Sequence, residues 1–277
     1  MRTVEACLRA GDDLPGDSAR RDAEILLGHV VNKRRSWLYT WPEAPLTPQQ
    51  IQEYAVLLGR RRTGVPVAYL TGEREFWSLP FQVTEATLIP RPETEMLVEW
   101  ALALPLSANA RVLDLGTGSG AIAVALASER STWQITALDA SAAALAVAEA
   151  NIERHCTGRV RSVQSDWFAA VAGEHYALLV SNPPYVESDS PWLARGDVRF
   201  EPSAALTSGA QGLDDLLWLC AAAPQHLTAG GWLLLEHGHQ QGAAVRAALQ
   251  ENGFSGVETR CDLAGLERVT GGCWCAD

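Results

Sequence analysis

The tetrapeptide Asn182-Pro183-Pro184-Tyr185 follows directly after the apolar run YALLVS, which is typical of a buried β-strand. Ligands of open α/β sheets bind at the carboxyl ends of the strands, so we expect this tetrapeptide to face a ligand. The prolines remove two N–H donors, which leaves backbone carbonyls and the Asn182 side-chain oxygen as acceptors. Two acceptors can hold a planar NH2 group while its nitrogen attacks an electrophilic carbon in line, and Tyr185 can pack against the flat group. Taken alone, the tetrapeptide favours an ordinary proline turn.

A glycine-rich segment, DLGTGSG over residues 114–120, lies where the predicted strand RVLDL ends and a helix begins. Glycines allow a tight turn and close approach of a ligand, and the N-terminus of a helix offers free N–H groups. Asp139 ends the next predicted strand, where a carboxylate can accept hydrogen bonds from ribose hydroxyls. The G-x-G-x-G spacing differs from the G-x-G-x-x-G of dinucleotide folds, so it favours S-adenosylmethionine over NAD.

Short apolar strands alternate with helices after residue 92, a pattern that predicts an α/β fold with a Rossmann-like, mostly parallel sheet. We expect strands at 111–115, 134–139, 160–164, 176–182 and 231–237. The segments GVETRCDL and ERVTGGCWC then predict a closing pair, antiparallel at one edge of the sheet.

The first part of the chain has the sequence pattern of helices without intervening strands. Ser18 before ARRDAEILLGHVV and Thr47-Pro48 before QQIQEYAVLLGRRR are helix-start signals, so a small helical bundle is expected there. Aromatic and β-branched residues over 74–89, around Pro80, predict a β-hairpin with a tight turn. This hairpin would join the bundle to the sheet.

Composition narrows the classes of function. The 277 residues carry a net charge of −11, which disfavours direct binding to nucleic acid; the first 62 residues are slightly basic, with ten basic and eight acidic side chains. No apolar run reaches the roughly 18 residues of a membrane span, and the N-terminus lacks a signal-peptide pattern, so we expect a cytoplasmic protein without a membrane partner. The six cysteines lack C-x-x-C spacing, so we expect reduced thiols and no metal site.

The motifs LDLGTGSGAIA and SNPPY, with Asp139 between them, resemble the class I S-adenosylmethionine-dependent methyltransferases that act on exocyclic or amide nitrogen. Further segments are similar to the release factor glutamine methyltransferase family, and the resemblance covers nearly the whole chain: FWSLPF (76–81), LIPRPETE (88–95), QSDWF (164–168), DVRFEPSAAL (197–206), LLEHG (234–238) and ERVT (267–270). The resemblance implies methyl transfer from S-adenosylmethionine, leaving S-adenosylhomocysteine. The acceptor would be the side-chain amide of the glutamine in the Gly-Gly-Gln loop of bacterial class I peptide chain release factors.

The resemblance also implies a division of the chain and roles for its residues. Residues 1–73 would form a helical substrate-recognition domain, 74–91 a hairpin linker, and 92–277 the S-adenosylmethionine-dependent methyltransferase domain. The residues expected at the cofactor are Gly116, Thr117, Gly118, Ser119, Gly120, Asp139 on the ribose, Asp166 and Trp167 around the adenine, and Asn182. The substrate amide would lie against Asn182, Pro183, Pro184 and Tyr185, with Asn182, Pro183 and Tyr185 as the catalytic residues.

Four alternatives remain open at this point. A ribosomal-protein glutamine methyltransferase and a nucleic acid amino-methyltransferase would share the acceptor tetrapeptide. A module that only senses a nucleoside would need the glycine segment but not the tetrapeptide. A nicotinamide-dependent oxidoreductase would use the same strand and helix pattern with a different cofactor.

Overall fold

The computed structural model describes residues 2–16 and 18–275. The chain divides into two compact units, Met1–Glu73 with Ala194–Phe200 and Arg74–Leu193 with Glu201–Asp277. In the described ranges, no helix is long and apolar enough to cross a membrane.

The first unit is helical. Its helices are α1 (Val4–Arg9), α2 (Ala19–Val31), α3 (Arg35–Thr40), α4 (Pro48–Arg62) and α5 (Val67–Thr71). Helix α4 begins as expected, because Thr47 and Gln50 cap each other's backbone N–H groups and Pro48 occupies the first turn. Ser18 precedes α2 but makes no cap bond; its hydroxyl donates to the Asp22 carboxylate at 3.0 Å instead.

A two-stranded hairpin follows, β1 (Glu73–Phe76) and β2 (Leu79–Gln82). The hairpin is confirmed; its second strand ends at Gln82 and includes Pro80. The turn is Trp77-Ser78, and both residues have positive φ angles, 52° and 58°. That conformation costs roughly 1–2 kcal/mol per residue. Two hydrogen bonds from Trp77 offset it, from the backbone N–H to Glu95 at 2.8 Å and from the indole to Glu129 at 2.9 Å.

The second unit is built on a seven-stranded sheet of described residues, in the order β5-β4-β3-β6-β7-β9-β8. The strands are β3 (Arg111–Leu115), β4 (Gln134–Asp139), β5 (Val160–Gln164), β6 (Tyr176–Ser181), β7 (Leu227–Glu236), β8 (Phe254–Cys261) and β9 (Glu267–Trp274). The helices are α6 (Glu95–Ala103), α7 (Ala121–Glu129), α8 (Ala142–Cys156), α9 (Asp214–Ala222) and α10 (Gly242–Glu251). Short 3-10 turns cover Pro92–Thr94, Ala169–Val171, Pro191–Ala194, Val198–Phe200, Ser203–Ala205 and Ala223–His226.

The predicted fold class is confirmed, with two differences in detail. Strand β9 is the one that pairs antiparallel with β7, and β8 lies outside it at the edge. Strand β7 begins at Leu227, four residues before the apolar run that predicted it, because Leu227 pairs with Tyr176 across an irregularity in the ladder. Backbone pairing, which the side-chain pattern does not report, sets that boundary.

Both faces of the sheet are covered, so the central strands alternate between two apolar cores. Val112 and Leu178 pack with Trp100 and helix α7 on one face, whereas Leu113 and Leu233 pack with helices α9 and α10 on the other. Strands β3, β4, β6 and β7 run parallel, so their carboxyl ends meet at one edge of the sheet. The glycine segment, Asp139, the acceptor tetrapeptide and Glu236 all lie at that edge.

Candidate active site

The glycine loop connects β3 to α7 in a conformation that side chains disfavour. Gly116 and Gly120 have φ angles of 69° and 80°. A Cβ atom at Gly120 would lie 3.3 Å from Ala148 of α8, so this position also needs the small residue for packing. The Thr117 N–H donates to the Leu138 carbonyl at 2.8 Å, which ties the loop to the end of β4.

Asp139 stands beside this loop at the carboxyl end of β4. One carboxylate oxygen accepts the Gly118 N–H at 2.8 Å and the other accepts the Ser141 N–H at 2.9 Å. These bonds fix the direction of the carboxylate and leave further lone pairs on both oxygens. The side chain can therefore still accept hydrogen bonds from a ligand.

Trp167 follows β5 in a strained conformation. Its φ of 45° is unusual for a large side chain and costs on the order of 1–3 kcal/mol, a cost often found at functional sites. The indole reaches within 3.8 Å of the position that a Gly116 Cβ would take, and its ring centroid lies 6.1 Å from that of Trp218. A hydrogen bond of 2.6 Å from the Ser165 hydroxyl to the Trp167 carbonyl supports the turn.

The acceptor tetrapeptide begins one residue after β6 ends. The Asn182 side chain donates from Nδ2 to the Thr94 hydroxyl at 3.2 Å. Within the described residues, neither the Asn182 Oδ1 atom nor the Pro183 carbonyl accepts a hydrogen bond. The structure therefore leaves these two adjacent acceptors without a partner in the part of the chain that it describes.

A cavity of about 540 Å³ joins these segments. Of the residues expected from the sequence, its walls include Gly116, Thr117, Gly118, Ser119, Asp139, Asp166, Trp167, Asn182 and Pro184. Among the described residues, Gly120, Pro183 and Tyr185 are not part of the walls. Gly120 packs on α8, Pro183 is buried, and the Tyr185 hydroxyl donates to Glu236 at 3.2 Å.

Two buried acids near the cavity were not assigned a role from the sequence. Burial raises the pKa of Asp114 to about 7, although bonds from the Thr117 hydroxyl and the Ala123 N–H oppose the rise. Burial likewise raises the pKa of Glu236 to about 7, opposed by hydrogen bonds from Thr94 and Tyr185. Both acids sit in strands among apolar residues, and that contrast is the sequence signal that could have identified them.

The loop after the tetrapeptide contributes an ion pair to the same region. Glu201 has a fully buried side chain, and its carboxylate pairs with the Arg91 guanidinium at 2.6 Å. Arg91 lines the cavity, as does Pro202, which follows Glu201 in the chain. In the part of the chain that the structure describes, no group of three His, Cys, Asp or Glu side chains could hold a metal ion.

Two family models match parts of the chain. The family described as PrmC N-terminal domain matches residues 2–72, and the family described as Methyltransferase small domain matches residues 93–194. The release factor glutamine methyltransferase of Salmonella typhimurium is 54% identical over 256 residues, which cover 92% of each chain. That of Pseudomonas aeruginosa is 49% identical over 274 residues, 99% of each chain.

A solved structure shows the same fold at low identity. A methyltransferase from Pyrococcus furiosus superposes with a TM-score of 0.55 at 18% identity, covering 72% of this chain and 90% of its own. The sequence relatives, in contrast, share about half of their residues with this chain over almost their full length. The chain therefore belongs to the release factor glutamine methyltransferase family.

Proposed function

We propose that this protein transfers a methyl group from S-adenosylmethionine to the side-chain amide nitrogen of the glutamine in the Gly-Gly-Gln loop of bacterial class I peptide chain release factors. The observation that carries the proposal is the pair of adjacent acceptors, Asn182 Oδ1 and the Pro183 carbonyl, next to the cavity. The names of the relatives favour a release factor over a ribosomal protein or a nucleic acid as the substrate.

The cavity residues fit S-adenosylmethionine. The glycine loop presents backbone without side chains, and a Cβ at Gly118 would meet no atom within 4 Å, so this part of the wall is open to a ligand. The Asp139 carboxylate keeps lone pairs for the two ribose hydroxyls, while Asp166 and Trp167 offer a hydrogen-bond acceptor and a flat ring for the adenine. When bound, S-adenosylmethionine supplies an electrophilic sulfonium methyl group.

The acceptor tetrapeptide addresses the main difficulty of the reaction, which is that an amide nitrogen is a weak nucleophile. Its lone pair is delocalised into the carbonyl. Asn182 Oδ1 and the Pro183 carbonyl can each accept one hydrogen of the glutamine NH2, which orients the nitrogen and favours its pyramidal form. The hydrogen bond from the Tyr185 hydroxyl to Glu236 helps to hold the tetrapeptide in place.

No strong base is needed at this site. The nitrogen becomes far more acidic once the methyl group is bonded to it, so one proton can leave through an acceptor to water. Asn182 and the Pro183 carbonyl are neutral acceptors, and their role is to position the amide rather than to ionise it.

We also propose a separate role for each part of the chain. Residues 1–73 recognise the release factor, residues 74–91 link the two domains, and residues 92–277 carry out the methyl transfer. The slight excess of basic side chains in the first 62 residues contrasts with the acidity of the rest. A cytoplasmic location, where the release factors act, belongs to this proposal.

The proposal is tested by incubating the protein with labelled S-adenosylmethionine and a class I release factor. Label should appear in one tryptic peptide, the one that contains Gly-Gly-Gln, and should vanish when that glutamine is replaced by asparagine. Label on a different protein, or on nucleic acid only, would refute the proposal. We expect Asn182→Ala to lower kcat by about 100-fold or more while the Kd for S-adenosylmethionine changes little.

A further inference from the structure

Gln241 joins the acceptor tetrapeptide to two neighbouring loops. Its side-chain Oε1 atom accepts the Gly238 N–H at 2.8 Å, within the loop between β7 and α10. Its Nε2 group donates to the Tyr185 carbonyl at 3.0 Å, to the Gln211 carbonyl at 3.2 Å and to the Gly212 carbonyl at 3.1 Å. Both ends of one amide are therefore used, and one of its partners belongs to the tetrapeptide.

These partners determine which way the Gln241 amide points. A carbonyl oxygen can only accept a hydrogen bond, and a backbone N–H can only donate one. The reverse orientation would place Oε1 against three carbonyls and the NH2 group against the Gly238 N–H, so all of these bonds would be lost. Gln241 therefore presents its NH2 group to the tetrapeptide.

Tyr185 is held at each of its polar groups by a different part of the chain. Its N–H donates to the Leu206 carbonyl at 3.1 Å, and its hydroxyl is hydrogen-bonded to the Glu236 carboxyl at 3.2 Å. Its carbonyl accepts from Gln241. The space around that carbonyl is small, since a Cβ atom at Gly212 would lie 2.2 Å from its oxygen. The Tyr185 carbonyl is thus confined between the Gln241 amide and the backbone of Gly212.

The position of Tyr185 affects the Pro183 carbonyl, which is one of the two acceptors. The segment between them is short and stiff, because Pro183 and Pro184 each fix one backbone dihedral angle. The other end is fixed by Ser181, the last residue of β6, whose hydroxyl donates to the Leu115 carbonyl at 2.7 Å. A displacement of Tyr185 would therefore move the Pro183 carbonyl instead of being absorbed by a flexible loop.

We propose that Gln241 is a positioning residue, which holds the Tyr185 end of the acceptor tetrapeptide so that Asn182 Oδ1 and the Pro183 carbonyl keep their places beside the cavity. This inference rests on the proposed function for its kinetic consequence. Gln241 lies outside the described walls of the cavity and need not touch the glutamine. Its effect is on the placement of the two acceptors.

The kinetic test uses two variants and a matched control. Gln241→Met keeps the length of the side chain but loses its hydrogen bonds, whereas Gln241→Glu keeps the Oε1 acceptor and loses only the NH2 donor. We expect both to lower kcat on the release factor by about 10- to 50-fold, with the Kd for S-adenosylmethionine within about 3-fold of the wild type. The assay is run at about pH 8.5, so that the carboxyl of Gln241→Glu is ionised and cannot donate. Gln240→Met, at the exposed glutamine one residue earlier, should stay within about 2-fold of the wild type.

A second measurement does not need the release factor. The Tyr185 and Val186 N–H groups both donate to the Leu206 carbonyl, at 3.1 and 2.8 Å, so their exchange with solvent deuterium reports on the end of the tetrapeptide. We expect both to exchange at least about 10-fold faster in Gln241→Met than in the wild type. The N–H of Leu113, in the buried strand β3, should exchange at an unchanged rate. If Gln241→Met does not fold, Gln241→Glu is used for the same measurement.

Several results would overturn the positioning role. They are a kcat of either Gln241 variant equal to that of Gln240→Met, unchanged exchange at Tyr185 and Val186, and an equal rise in exchange at Leu113, which would indicate general destabilisation. If the wild type does not label the Gly-Gly-Gln peptide at all, the proposed function fails, and the exchange rates alone decide whether Gln241 holds the tetrapeptide.

Discussion

Asn151 of α8 donates a hydrogen bond of 2.8 Å from its side-chain nitrogen to the carbonyl of Ser119 in the glycine loop. The same fully buried amide pairs with Gln82 of β2 in both directions, at 2.7 and 2.9 Å. One side chain therefore connects a helix, the glycine loop and the hairpin, all within the second unit.

Replacing this side chain should loosen the glycine loop. In Asn151→Ala, the Gln82 N–H and the buried Ser119 carbonyl lose their partner, so we expect the free energy of unfolding to fall by about 2 kcal/mol. The Kd for S-adenosylmethionine should rise about tenfold, measured by calorimetry. Asn252→Ala is a suitable control, since the Asn252 side chain donates to the Ala248 carbonyl of its own helix at 2.8 Å. An unchanged Kd in Asn151→Ala would argue against a role in holding the loop.

Gly120 and Gly158 form a matched pair for the glycine loop. Both have positive φ, 80° and 72°, so alanine at either position costs about 1 kcal/mol in backbone strain. Only at Gly120 would the new methyl group lie 3.3 Å from Ala148, whereas it meets nothing within 4 Å at Gly158. We expect Gly120→Ala to destabilise more in urea denaturation and to weaken binding of S-adenosylmethionine. Gly158→Ala should leave that binding unchanged, and equal effects of the two variants would contradict the packing argument.

Asp114 should make stability depend on pH. Burial raises its pKa to about 7, so the folded protein keeps a proton that the unfolded chain releases above its ordinary value of about 3.9. The contribution of Asp114 to stability therefore falls as the pH rises from about 4 to about 7. Asp114→Asn cannot ionise, so it should gain stability relative to the wild type between pH 5 and pH 8.

Thermal unfolding at both pH values measures this difference. The exposed Asp189→Asn is the control, and its difference from the wild type should stay constant over the same range. If the stability of Asp114→Asn depends on pH in the same way as that of the wild type, the Asp114 carboxyl is not the source of that pH dependence.

Glu24 should have the opposite pH dependence in the first unit. The pKa of Glu24 lies below its ordinary range. Burial by itself would raise this pKa, but hydrogen bonds from Tyr39, Arg35 and Arg20 to the carboxylate outweigh the effect of burial. Its contribution is thus present at neutral pH and is lost as the pH falls through that lowered pKa. We expect Glu24→Gln to lower the free energy of unfolding by about 3 kcal/mol at pH 7 and by less at pH 3. The exposed Glu43→Gln should have little effect at either pH, and a similar loss in both variants would exclude a special role for Glu24.

Local sequence patterns predicted many strands and helices of the second unit, because the residue types within each of these elements indicate its secondary structure. Apolar runs of five or six residues form the buried strands β3, β4 and β6, and the glycine segment forms the turn between β3 and the following helix α7. The residues of the hairpin turn could not be predicted, since Trp77 and Ser78 are poor turn residues by local chemistry. Bonds from Trp77 to Glu95 and Glu129, 18 and 52 residues away, support it.

The candidate site, like the fold, could be predicted from the sequence only in part. The sequence by itself determined which segments carry the acceptors and the glycine loop, because residue type and strand order place them at one edge of the sheet. It could not show that Asn182 turns its Nδ2 toward Thr94, that Tyr185 points away from the cavity walls to Glu236, or that Asn151 holds Ser119. Those relationships join residues 32 to 88 positions apart. Only the tertiary structure decides them, since a hydrogen bond depends on distance and direction in space rather than on separation along the chain.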